Sequence, residues 1–236
     1  QVDHGFFGSN YAWTNAGTIK KSAGSNFGGM GSSPGNTVTS SGVVQALSGT
    51  LGLGTYTQTA GLLTVAANTQ VSANSFAING GTLSGGGEVH GNVTNAATVN
   101  PGSSPGTLRI QGNYTQTAAG VLNIEIGGTA VSSYDPLDVS GTATLAGTLN
   151  ATSFGGFTPL PANSFAIMSF ASKSGDFTTN NLTVNGLTLT KIFSATTLAL
   201  SGGAGPGTLA LDRNFVDFGS REVFTTSGPQ TIVISN

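Results

Sequence analysis

The chain has 236 residues, of which only 7% are charged and 37 are glycine; its net charge is −2 and it contains no cysteine. Disorder is excluded, because disordered chains combine low hydrophobicity with high net charge, whereas hydrophobic residues here reach 37%. The near-neutral balance removes the electrostatic case for nucleic acid, no apolar run nears the ~18 residues of a membrane span, and thiolate catalysis and cysteine-based zinc sites are closed to it.

The opening QVDHGFFGSN has no basic segment ahead of an apolar core and reads as a mature or internal start. Phe6, Phe7, Tyr11 and Trp13 cluster there. They are expected to cap or stack in the core, with an end-to-end contact as the next use; aromatic clusters also serve as sugar platforms. Lys20–Lys21 is the one positive cluster and reads as a solvated turn.

Repetition dominates the chain beyond its N-terminal aromatics. YTQTA stands at Tyr56–Ala60 and again at Tyr114–Ala118. A Gly-Thr-aliphatic triplet recurs at Gly17–Ile19, Gly49–Leu51, Gly81–Leu83, Gly106–Leu108, Gly147–Leu149 and Gly207–Leu209. Each triplet leads into a short alternation: GTLRIQG puts Leu108 and Ile110 on one face, and GVLNIEIGG does the same with Leu122, Ile124 and Ile126. Period-2 alternation marks strands with one buried face. Breakers interrupt almost every window that a helix would need. Short strands between Gly/Asn/Ser turns suit a sandwich, a barrel or a solenoid, and internal repetition favours the solenoid. Coils of roughly 20 residues predict about ten turns over residues 1–203. Asn92, Asn95 and Asn100 near strand ends read as turn chemistry, with inward amide ladders as the other option.

The stretch at 81–152, GTLSGGGEVHGNVTNAATVNPGSSPGTLRIQGNYTQTAAGVLNIEIGG…YDPLDVSGTATLAGTLNAT, closely resembles the bacterial autotransporter-associated β-helix repeat. The matching positions are Pro101–Leu108, Gly112–Ile126 and Tyr134–Leu149, in the family's order, and the resemblance covers roughly residues 15–200. It implies a right-handed parallel β-helix and an exported, surface-exposed or secreted bacterial protein acting as a stalk, adhesin or matrix component. The cysteine-free, charge-poor composition resembles that of very large bacterial exported proteins.

Candidate chemistry is thin. Asp135 and Asp138 lie in YDPLDVSG, and Glu88 sits near His90 in GGGEVHG. A carboxylate pair suits glycoside hydrolysis, but Asp135 reads as the start of an Asp-Pro turn and Glu88 as a solvated rung. Glu88 and His90 share one strand face and form at most half a metal site, with His4 the other histidine. No catalytic, cofactor-binding or metal-binding residue is expected, and no cofactor.

GGAGPG at 202–207 is a linker signature, so the chain is expected to divide into a β-helix at 1–203 and a second segment at 204–236. TLALDRNFVDFGSREVFTTSGPQTIVISN resembles the first strands of the immunoglobulin-like domains of choice-of-anchor and abnormal-spindle-like proteins, with matches at Phe215–Gly219 and Thr231–Asn236. Two or three such strands are unstable alone. Phe215, Val216, Phe218, Ile232, Val233 and Ile234 are therefore the candidate interface, docking on the solenoid's own end or on another copy by strand addition. The expected function is a non-enzymatic extracellular rod at the cell surface, its partners other copies of itself or surface glycans and matrix. The other reading is a polysaccharide-binding or polysaccharide-degrading β-helix.

Overall fold

A computed structural model describes residues 10–30, 35–203, 210–211 and 234–235. The chain divides into two units, Gln1–Gly203 and Ala204–Asn236. Of the second, the described part is an antiparallel pairing of Ala210–Leu211 with Ile234–Ser235. Five of the six candidate interface residues, Phe215, Val216, Phe218, Ile232 and Val233, lie outside the described residues, and Ile234 falls on that short strand.

The first unit is all-β, with parallel sheets of many strands in the arrangement of a β-helix or solenoid. The chain passes back and forth between a 15-stranded and an 8-stranded sheet. Within the long sheet each coil bends once. Thr50–Gly52 and Thr55–Gln58 occupy the two halves in one coil, and the single strand Gln70–Ile78 crosses both halves in the next. Each coil therefore has three faces. The eight strands of the smaller sheet mark eight passes among the described residues, fewer than the predicted ten. Coil length is the reason. Thr50 and Gln70 are bonded neighbours 20 residues apart, Gln70 and Glu88 are 18 apart, but Asp138 and Ser169 are 31 apart.

Alternation sets which side chains face in. Leu63, Leu83, Val99, Leu122 and Leu149 stand in register on successive strands of the smaller sheet, all fully buried. Leu108 and Ile110, and Leu122, Ile124 and Ile126, are buried as their spacing predicts. Each such side chain contributes about 1.5–3 kcal/mol when fully buried.

The corner leading into the smaller sheet is built differently. Gly42, Gly61 and Gly81 stack there, and a Cβ on Gly61 would lie 2.0 Å from the carbonyl oxygen of Gly42. Gly17, Gly81 and Gly147 head triplets at this corner, whereas Gly49 and Gly106 head triplets that enter the long sheet. One sequence motif thus serves two different bends.

YTQTA proves to be a clamp for the same corner. Tyr56 and Tyr114 point inward, and so do Gln58 and Gln116, all almost fully buried. The Tyr114 hydroxyl donates to Gln116 Oε1 at 2.6 Å, and the Gln116 amide donates to the carbonyls of Gly120, Ala146 and Thr148. Gln58 likewise donates to Gly61, Gly80 and Thr82. Carbonyls turned inward at a tight bend need such partners, because a buried polar group without one costs about 1–3 kcal/mol. Asn95 joins the clamp, donating to the Tyr114 hydroxyl and the Val121 carbonyl and accepting from the Ala97 amide. Burial pushes the Tyr56 hydroxyl up to about 12 and raises that of Tyr114 as well.

The long sheet finishes in a reversal. Ser164–Ser169 pairs antiparallel with Thr197–Ser201, which pairs antiparallel with Thr190–Phe193.

Candidate functional site

The outer face of the smaller sheet carries a row of polar side chains. An outward residue follows each inward aliphatic residue in the strands Thr98–Pro101, Val121–Ile126 and Thr148–Ser153. Because the strands are in register, Asn100, Asn123 and Asn150 align with Asn181 of the next strand. Their amides bond in one sense: Asn123 Nδ2 donates to Asn100 Oδ1 at 2.8 Å, Asn150 Nδ2 to Asn123 Oδ1 at 2.7 Å, and Asn181 Nδ2 to Asn150 Oδ1 at 2.8 Å. This ladder floors a groove of about 1070 Å³ that extends to Ser84.

Insertions between coils wall the groove. One is the turn after Pro101, where the Ser104 hydroxyl bonds the Glu125 carboxylate. Another is the hairpin of Thr183–Val184 with Leu187–Thr188. Its tip residue Asn185 donates to Ser153 Oγ and to the Phe157 carbonyl, tying it to the preceding insertion.

Asp135 holds the first wall from beneath. It is 1% exposed, and its Oδ1 accepts the Gly106 amide at 2.7 Å. Burial drives its carboxyl up to about 6, the Gly106 N–H partly offsets this, and the nearby Glu125 charge adds to it. Between about pH 4 and pH 6 the folded chain therefore keeps a proton that the unfolded chain has released. The resulting stability is fully present below about pH 4 and is lost as pH rises through 6. It amounts to about 3 kcal/mol. Asp135→Asn keeps the acceptor and removes the charge, so it is expected to raise the melting temperature at pH 7 by several degrees and to flatten this part of the pH profile. Thermal unfolding at pH 4.5 and pH 7 checks both.

The remaining sequence candidates separate. Asp138 lies on the outer face of the long sheet, 3.8 Å from Arg109 and accepting from Ser169 Oγ, so it shares no bonded partner with Asp135. His90 Nε2 lies 2.8 Å from Glu88 Oε2, with Gln70 as the carboxylate's other partner. Among the described residues no three His, Cys, Asp or Glu side chains gather as a metal site; His4 lies outside them. Tyr11 and Trp13 are exposed, and Phe6 and Phe7 lie outside the described residues. Phe154 is exposed, while Phe157 stacks edge-on against Phe165 at 6.1 Å. Lys21 caps the turn after it by donating to the Ala23 and Gly24 carbonyls.

The asparagines divide by position. Asn95 is an inward clamp, Asn100 begins the outward ladder, and Asn92 accepts from the Asn113 amide at a bend. Asn123, Asn150 and Asn181 carry no motif of their own. The signal for them is a recurring aliphatic-Asn pair, visible once strands are aligned on the inward residue: Val99-Asn100, Leu122-Asn123, Leu149-Asn150. No protein-family model matches the chain, and no curated protein matches it.

Proposed function

We propose that the chain is a non-enzymatic structural and adhesive element of the bacterial exterior, a right-handed β-helical rod of a surface protein or extracellular fibre. The observation that carries this reading is the copying of one coil by the next: inward aliphatic columns, corner clamps and outward amides all repeat in register. Side chains that bear hydrogen-bonding chemistry are largely committed to holding backbone. The hand follows the rule that parallel crossovers within one sheet are right-handed in almost every case, and the order of motifs resembling autotransporter-associated repeats supports the setting. The segment at 204–236 is proposed to pair with another copy by strand addition.

One observation favours the second reading, a polysaccharide-degrading groove: Glu125 lies in the groove and near Asp135, a carboxyl poised close to neutrality. Incubating the full chain with plant, fungal and bacterial polysaccharides and assaying new reducing ends separates the two. A rod releases none; release above the buffer rate, abolished by Glu125→Gln, overturns the structural reading. Strand addition is tested by light scattering of the full chain over a range of concentration. Mass should rise above that of one chain and return to it in the Ile232→Asp/Ile234→Asp variant; a monomer at every concentration refutes it.

A further inference from the structure

We infer that the asparagine-floored groove is a binding site for an extended, uncharged oligosaccharide, its sugars lying along the ladder from Ser84 to Asn181. The inference names a ligand class for the adhesive half of the proposed function and rests on that half.

The ladder bonds use one N–H and one carbonyl lone pair of Asn123 and of Asn150. An amide carries two of each, so among the described residues both side chains retain a second donor and a second acceptor at the groove. Bonding in one sense polarises the row and strengthens what its members offer. A sugar hydroxyl both donates and accepts, so a row that alternates donor and acceptor fits it better than it fits a purely anionic or cationic group. No lysine or arginine lines the groove, and its carboxylate, Glu125, is engaged by Ser104. Both facts disfavour an anionic ligand.

Spacing favours a chain over a single sugar. Neighbouring strands lie about 4.8 Å apart, so five rungs from Ser84 to Asn181 span about 19 Å. An extended glycan repeats on a similar scale, one residue to a rung. The walls at Ser104 and at the 183–188 hairpin rise on the insertion side of the floor, leaving the ligand to lie along the row.

The test uses the full chain and a panel of uncharged tetrasaccharides (cello-, xylo-, manno-, laminari- and maltotetraose), with tetragalacturonate as the anionic comparison. Calorimetric titration is expected to show saturable, one-to-one binding of at least one neutral tetrasaccharide, with tetragalacturonate not competing. Asn123→Val/Asn150→Val should weaken it about tenfold or more, as loss of two hydrogen-bonding side chains implies. Gln45→Val, on the same sheet but away from the groove, should leave it unchanged. If the double variant misfolds by circular dichroism, the wild-type chain decides: its Asn123 and Asn150 side-chain amide resonances must shift on titration. No saturable binding across the neutral panel, binding only of tetragalacturonate, or binding that spares these amides overturns the inference. Sugar recovered cleaved would instead defeat the non-enzymatic reading while leaving the site intact.

Discussion

Gln116→Leu is expected to destabilise the first unit by about 2–4 kcal/mol, although leucine fits the volume and adds apolar surface. The Gln116 amide donates to three carbonyls, those of Gly120, Ala146 and Thr148, at 3.1, 2.9 and 2.9 Å, and it accepts the Tyr114 hydroxyl. Leucine strips all of these partners at once in a buried interior. Each buried group left without a partner costs about 1–3 kcal/mol, which outweighs the apolar gain. Tyr114→Phe removes the donor to Gln116 and one acceptor of Asn95, whose amide keeps the Val121 carbonyl, and should cost about 1–2 kcal/mol. Denaturant unfolding followed by circular dichroism reads both; a Gln116→Leu chain as stable as the parent would show that the corner does not need the clamp.

The second large effect is expected at Gly81. Its φ is +71°, and a Cβ there would sit 2.2 Å from the carbonyl oxygen of Gly61, the oxygen that accepts the Thr82 amide. Alanine must therefore adopt a left-handed conformation, costing about 1–2 kcal/mol, and also push two coils apart. The combined loss should reach about 4 kcal/mol or more, in the range reserved for structural disruption. Gly155 offers the comparison that separates the two causes. Its φ is +59°, yet nothing lies within 4 Å of its added Cβ. Gly155→Ala should cost only the conformational part, about 1 kcal/mol. Equal melting temperatures for the two variants would mean that stacking at the corner contributes nothing.

These two sites also mark where the sequence was readable and where it was not. The inward faces of 108–110 and 122–126 follow from alternation alone, because a strand's period of two is local and needs no knowledge of its neighbours. Gln58 and Gln116 look like polar breaks between strands. They are buried only because their partners come from the adjoining corner of their own coil and of the next, as with Gly80 and Ala146. That is information a linear reading of one segment lacks. The Gly-Thr-aliphatic triplets mislead for a related reason: glycine meets the same steric demand at either bend, so one motif hides two places. Coil count suffered from the insertions after Pro101, Ile126 and Ser153, which lengthen later coils without disturbing register. The groove was out of reach, since its floor is one outward residue from each of several coils and its walls are the turn after Pro101 and the 183–188 hairpin, far apart in sequence.

The reversal that finishes the long sheet has a consequence for assembly. One face of the last coil continues for two more strands, Thr197–Ser201 and Thr190–Phe193, while the other two faces stop at Ser172–Gly175 and Thr179–Asn181. The outermost strand folds back toward them: Lys191 reaches Asp176 and the Phe177 carbonyl, and Lys173 stands over the Phe193 ring at 4.3 Å. The last coil is thus overlaid by its own chain, and on that face a further coil would meet an antiparallel edge instead of the parallel one that each earlier coil offers to the next.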